Sequence, residues 1–178
     1  MPQDIARDTN GSGVRLRALE PSDADLLYVW ENDPTTWESG DRRWPLSLSD
    51  IRTFVEHTDL DIWQTRQTRF MIDRLSDGVT VGCIDIFDFD PLNMTCSIGV
   101  LVQPESRKAG YASDALRQIE AFAVDTMLVH TIIVTIATDN APSLALFTSA
   151  GYERAGVLRQ KLRRGKTFVD EVLMQKIF

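Results

Sequence analysis

A short segment in the middle of the chain has residues that could bind a phosphate group. It reads Arg107-Lys108-Ala109-Gly110-Tyr111-Ala112 and opens a predicted helix that continues to Met127. Gly110 allows a tight turn and a close approach of the backbone to a ligand. The first N–H groups of the helix lack partners within it, and with the helix dipole and two nearby cations they favour a phosphate or pyrophosphate. An ordinary strand–turn–helix junction would have the same local sequence.

Carboxylates on one predicted strand, Val79 to Phe89, could act on an amine. Asp85, Asp88 and Asp90 lie in or just after this strand, where they could attract a cationic amine and accept its proton through water. In a regular strand Asp85 and Asp88 point to opposite faces, so only one of them can face a cleft. Asp85, which lies deeper in the strand, is the preferred catalytic residue and Asp88 the second. The alternatives are a salt bridge for Asp85 and simple exposure for Asp88 and Asp90.

The elements that must position these residues are predicted to form a mixed sheet. A strand at Val14–Ala18 is followed by a helix with Ser22 as cap and Asp25 at the capping-box position, and by a second helix capped by Ser47 or Ser49. Three strands with short turns predict an antiparallel meander, and a β-branched strand reached through a helix must run parallel to the last of them. A helix capped by Asn140 and a closing hairpin follow. The later strands are Thr68–Arg74, Val79–Phe89, Met94–Val102, Thr131–Ala137, Tyr152–Lys161 and Thr167–Lys176.

Length and composition limit the class of protein. With 178 residues, of which 43% are hydrophobic, we expect one α/β (α+β) domain over 14–178 after a flexible tail over 1–13. The net charge of −7 argues against a nucleic-acid partner, and no apolar run has the length of a membrane span. Two cysteines inside apolar strands are expected to be reduced, which favours the cytoplasm.

Several motifs, in order along the chain, resemble the GNAT superfamily of acetyl-coenzyme-A-dependent N-acetyltransferases. The family's pyrophosphate loop, Gln/Arg-x-x-Gly-x-Gly/Ala, is matched by Arg107-x-x-Gly110-x-Ala112. The family's Asn with a small residue three positions later is matched by Asn140 and Ser143. Its Gly-Phe/Tyr is matched by Gly151-Tyr152, and the closing segment 170–174 is similar to the branch of spermidine and ribosomal-protein N-terminal acetyltransferases.

The resemblance implies a GNAT-like sheet with a central, splayed parallel strand pair and acetyl-CoA as co-substrate, with no metal. The pantetheine arm would lie along Ile98–Val102, parted from its neighbour by a bulge near Gly99, and backbone N–H groups there would polarise the thioester carbonyl. The residues expected to bind the coenzyme are Val100, Leu101, Val102, Arg107, Lys108, Ala109, Gly110, Tyr111, Ala112, Asn140, Ser143 and Phe147.

One position departs from the family. Many members have a Tyr that protonates the leaving thiolate, and the matching residue here is Phe147, which has no proton to donate. The alternative function is therefore a coenzyme-A-binding module with weak or lost activity. His57 and His130 are weaker candidates for the base.

The predicted reaction is direct acetyl transfer to a primary amine. A small polyamine-like or other amine is ranked first, a protein N-terminus is a close second, and an amino-sugar antibiotic is a further candidate. Trp37 and Glu38, in the aromatic linker 35–45, are expected to contact the acceptor together with Asp85. An exposed sheet edge or the closing hairpin could pair two chains into a homodimer.

Overall fold

A computed structural model of the protein describes residues 13–34, 44–57 and 61–178. In these residues the strands form a seven-stranded sheet in the order β1-β2-β3-β4-β5-β7-β6. Short 3-10 turns at Pro21–Asp23 and Pro104–Ser106 precede α1 and α4. The elements are β1 (Val14–Ala18), α1 (Ala24–Glu31), α2 (Leu48–Glu56), α3 (Ile62–Thr65), β2 (Thr68–Arg74), β3 (Thr80–Asp90), β4 (Thr95–Val102), α4 (Tyr111–Asp125), β5 (Thr131–Ala137), α5 (Ala141–Ser149), β6 (Glu153–Arg164) and β7 (Thr167–Ile177).

The predicted order of pairing is confirmed. Strands β1 to β4 form an antiparallel meander, and β6 and β7 form the closing hairpin. The crossover through α4 makes β5 parallel to β4, as a strand–helix–strand connection requires.

The sheet is covered on both faces by different helices. On one face, α4 packs Leu116 and Ile119 against strand residues such as Ile84 and Ile86, all of which are fully buried. On the other face, α1 and α2 pack Leu27 and other apolar residues on the alternate strand positions, including Met71 and Cys83. Because strand side chains alternate between faces, Asp85 and Phe87 of β3 lie on the same face as Cys83, under α1 and α2.

The predicted start of α1 is wrong by one residue, whereas that of α2 is confirmed. Pro21 opens a 3-10 turn, so Ser22 lies inside this turn and Ala24 begins the helix. The N–H of Glu20 donates to Asp23, whose carboxylate also receives two bonds from Arg17, of 2.7 and 2.8 Å. For α2, the Ser47 hydroxyl accepts a hydrogen bond of 3.0 Å from the N–H of Asp50.

Within the described ranges, none of the helices has the length and apolar character needed to cross a bilayer.

Candidate active site

The central strands β4 and β5 part after a short paired segment. Their parallel pairing covers Thr95–Ser97 against Thr131–Ile133 and stops there, although both strands continue. The remaining residues of β4, from Ile98 onward, therefore have β3 on one side and an open gap on the other. The splayed parallel pair expected from the sequence is confirmed.

Only alternate N–H groups of β4 point into this gap. The N–H of Gln103 donates to the Val81 carbonyl at 2.9 Å, toward β3. Since N–H direction alternates along a strand, the N–H of Leu101 also points to β3. Those of Val100 and Val102 point into the gap. Of the three N–H groups predicted to face the coenzyme, the geometry therefore leaves two on the side of the gap.

The bulge lies in β3 and not near Gly99, where we predicted it. Gly99 pairs in register with Asp85. The register shifts farther along, where Asp88 and Phe89 of β3 stand opposite the single residue Cys96 of β4. Asp88 has a φ of 51°, in the left-handed region, as one residue of a bulge often does.

This bulge also overturns the expectation that only one of the two aspartates can face a cleft. Asp85 and Asp88 both line one cavity. The extra residue breaks the alternation of side chains between Phe87 and Phe89, so Asp88 is turned out from the strand and is exposed.

The predicted phosphate-binding segment lies directly beyond the end of β4. Gly110 has a φ of 84° and caps α4, and a Cβ added there would meet no atom within 4 Å. The first bond within the helix runs from the N–H of Asp114 to Gly110, so the N–H groups before it remain for other acceptors. Arg107 donates through Nε to the Val102 carbonyl at 3.0 Å, which fixes the segment to the end of β4.

On the opposite side of the gap, Asn140 caps α5 as predicted. Its Oδ1 accepts a hydrogen bond of 3.2 Å from the N–H of Ser143. This cap lies three residues after the end of β5, and therefore at the end of the sheet where β4 and β5 diverge.

Phe147 lies in the hydrophobic core, where it is 4% exposed. Its ring packs edge-to-face on Tyr152, with 5.0 Å between the ring centroids. Burial, together with the negative charge of Glu120, raises the pKa of Tyr152. Glu120 is buried and accepts a hydrogen bond of 2.8 Å from Lys176. This polar cluster was not found from the sequence, because its members are distant along the chain.

A cavity of about 690 Å³ lies between the α1–α2 pair and strands β2 and β3. Among the described residues, its charged lining consists of four carboxylates and one guanidinium, and an imidazole lies beside them: Glu31, Asp50, Asp85, Asp88, Arg69 and His57. Its apolar lining includes Phe54 and Phe87. The predicted acceptor contacts Trp37 and Glu38 lie outside the described residues.

Arg69 organises the inner part of this cavity. Its guanidinium donates two bonds to Asp85, of 2.7 and 2.8 Å, and one of 2.8 Å to Glu31. It also lies over the Phe54 ring, 5.3 Å from the centroid. Burial opposes its charge, but the neighbouring negative charges of Asp85 and Glu31 raise the pKa of Arg69. The salt-bridged alternative for Asp85 is therefore what the structure shows, and sequence reasoning missed Arg69 as its partner.

Asp88 and His57 are titratable groups of this cavity that make fewer hydrogen bonds and ion pairs than Asp85. Asp88 makes no hydrogen bond or ion pair with another residue in the described part of the chain. The Nδ1 atom of His57 lies 2.7 Å from the Thr53 carbonyl. Because a carbonyl only accepts, Nδ1 carries a proton, and Nε2 of the neutral ring is an acceptor.

Comparisons with known proteins identify the protein family to which a chain with this fold and this parted strand pair belongs. Residues 14–153 match the family model described as Acetyltransferase (GNAT) domain. The chain is 24% identical over 159 residues to the uncharacterized N-acetyltransferase YoaA of Bacillus subtilis, covering 87% of this chain and 88% of the relative.

Two solved structures have the same fold. A spermidine N-acetyltransferase from Vibrio cholerae, in complex with CoA and spermine, superposes with a TM-score of 0.84 at 16% identity, covering 92% of this chain and 95% of that one. RimL, a ribosomal L7/L12 alpha-N-protein acetyltransferase in complex with coenzyme A, gives 0.84 at 19% identity, covering 99% and 98%. At these identities the likeness shows the fold alone.

The chain belongs to the GNAT acetyltransferase family, since the family model covers more than half of it. It is an acetyl-CoA-dependent acyltransferase. The resemblance inferred from the sequence motifs is confirmed.

Proposed function

We propose that this enzyme transfers an acetyl group from acetyl-CoA to a primary amine of a small, polyamine-like cation. The observation that carries the proposal is the charge of the cavity, where, among the described residues, four carboxylates face one guanidinium. A cavity lined by one sign of charge concentrates ligands of the opposite sign.

The acceptor cavity and the gap between β4 and β5 are close neighbours. Asp85 of the cavity pairs directly with Gly99 of β4, and paired residues in an antiparallel ladder have Cα atoms about 5.5 Å apart. An amine in the cavity is therefore one strand away from a thioester held in the gap. This separation suits direct attack without an acyl-enzyme.

The coenzyme would be held by groups from both sides of the gap. The segment from Lys108 to Ala112 offers helix N-terminal N–H groups to the pyrophosphate, and Arg107 holds that segment against β4. The N–H groups of Val100 and Val102 would bind the pantetheine arm and polarise the thioester carbonyl. Asn140 and Ser143 would contact the arm from the side of α5.

In the proposed reaction the amine nitrogen attacks the thioester carbon, a C–N bond forms, and the C–S bond then breaks. We assign proton removal from the amine to Asp88, directly or through water, because both carboxylate oxygens of Asp85 already accept bonds from Arg69. Asp85 and Glu31 would supply the field that retains the cation. Phe147 cannot protonate the leaving thiolate, so in this proposal the thiolate takes, through a water, the proton that the nitrogen loses after it has attacked.

The apolar part of the same cavity favours a second acceptor class, a protein N-terminus. Phe54 and Phe87 line the cavity beside its carboxylates, so the first side chain of a peptide would have an apolar surface to bind. A peptide acceptor would use the same acidic groups for its terminal amine.

Thiol release from acetyl-CoA tests the proposal with a panel of linear polyamines, monoamines and short peptides with free N-termini. We expect the highest kcat/KM for polyamines and a decrease as salt is added, because the attraction is electrostatic. Asp88→Asn should lower kcat, whereas Asp50→Asn, at the α2 side of the cavity, should mainly raise KM. Preference for peptides would favour the second class, and coenzyme binding without thiol release would favour an inactive module.

A further inference from the structure

We infer that Gly99 is the opening through which the acceptor amine passes from the cavity to the thioester, and that the Phe87 ring covers this opening. The inference rests on the proposed function. It assigns a positioning role to a residue without a side chain, and a specificity role to the aromatic ring beside it.

The first step is the position of Gly99 between two spaces. On one side, its cross-strand partner Asp85 lines the acceptor cavity. On the other side, pairing between β4 and β5 ends at Ser97, so the gap begins at Ile98 and is open at the level of Gly99. A straight route from the cavity to the gap crosses β4 at this residue.

The second step is the side chains on this face of β4. Residues 97, 99 and 101 share the face under α1 and α2, since side chains alternate along a strand. Leu101 fills its place by packing against the α1–α2 core. Among the described residues, a Cβ added at Gly99 would meet one atom within 4 Å, the Cε1 of Phe87 at 3.3 Å.

The third step is the role of Phe87. Its ring lines the cavity and lies over the bare backbone of Gly99. An aromatic ring in this position excludes water from the thioester while leaving a narrow path for an amine. A ring that only fills the space beside a strand glycine would give the same distance, so the experiment must separate the two roles.

The test compares Gly99→Ala with the wild type in three assays: coenzyme affinity, thiol release with an amine, and slow thiol release without an amine. The added methyl narrows the path but leaves the N–H groups of Val100 and Val102 untouched. We expect coenzyme affinity and amine-independent hydrolysis to stay close to wild type. Amine-dependent kcat/KM should fall about 100-fold, the loss typical of a displaced reacting group.

Two further variants keep the test decisive. Gly156→Ala makes the same change in β6, where an added Cβ meets no atom within 4 Å, and should change nothing. Gly99→Ala combined with Phe87→Leu relieves the contact with the ring. If the loss came only from that contact, the double variant would recover activity. If the methyl blocks the path, activity stays low although folding is normal.

The inference is overturned if Gly99→Ala keeps its amine-dependent activity, if the double variant recovers it, or if coenzyme affinity falls as much as activity. Failure of the proposed function looks different, since the wild type itself would then release no thiol with any amine. In that case the inference falls with the function on which it rests.

Discussion

Arg69 should contribute more to stability than any exposed arginine of the same strand, and Arg69→Met tests this. The guanidinium makes three charge-assisted hydrogen bonds to Asp85 and Glu31, all of 2.7 or 2.8 Å, and its side chain is only 16% exposed. Methionine keeps most of the apolar stem beside Phe54 but removes the guanidinium that both carboxylates bind.

The expected loss of unfolding free energy follows from the burial of the two carboxylates that bind Arg69. Removing one partner of a buried ion pair costs about 3 to 5 kcal/mol. Because the side chains of Asp85 and Glu31 are 27% and 30% exposed, water can restore part of their solvation, and we expect the lower end, about 3 kcal/mol. For a chain of this size that lowers Tm by about 6 to 12 °C.

Urea unfolding followed by circular dichroism measures this loss, with Arg74→Met as the matched control. Arg74 is in the same strand and also makes two bonds to a carboxylate, that of Asp77, but at the surface. We expect the control to unfold at the urea concentration of the wild type. Arg69→Met with Asp85→Asn should recover part of the loss. Equal unfolding midpoints for the Arg69 and Arg74 variants would refute the reasoning.

Three other predictions concern separate parts of the molecule. Gly110→Asp places a negative charge and a strained side chain at the pyrophosphate segment, so calorimetry should show coenzyme affinity reduced about 100-fold, while circular dichroism should show that the variant is still folded; unchanged affinity removes this segment from the site. Lys176→Met leaves Glu120 buried without its cation and should cost about 3 kcal/mol in urea unfolding, a loss that Glu120→Gln in the same chain should reduce. Burial raises the pKa of both Cys83 and Cys96 to about 12, so thiol reagents at pH 8 should react only after unfolding. Above pH 9 stability should fall, because unfolded thiols lose protons that the folded state keeps; rapid labelling of the native protein would contradict this.

The sequence predicts the order of elements well because the relevant signals are local. The β-branched run Thr131–Ala137 identifies a central strand, and the helix before it fixes its parallel direction. Glycine at position 110 indicates the turn into α4, because glycine adopts positive φ angles without strain. In the structure its φ is 84°.

The features that the sequence did not predict depend on register. Arg69 stands directly opposite Asp85 in the β2–β3 ladder, but this pairing is visible only once the hairpin is aligned. The bulge at Asp88 did have a local signal, which our interpretation of a regular strand overlooked. Apolar and acidic residues alternate from Ile84 to Ile86 and again from Phe87 to Asp90, and the change of phase between Ile86 and Phe87 is what an extra residue produces. The error at Ser22 has a local cause, since Pro21 favours a 3-10 turn before α1.

Amide hydrogen exchange, measured by NMR with and without saturating acetyl-CoA, tests most directly whether the parted strands hold the coenzyme. The account predicts that the N–H of Leu101, directed to β3, is already protected in the free enzyme. It predicts that the N–H groups of Val100 and Val102 become protected only when the coenzyme is added. Exchange at Val100 and Val102 that does not change on binding would contradict it.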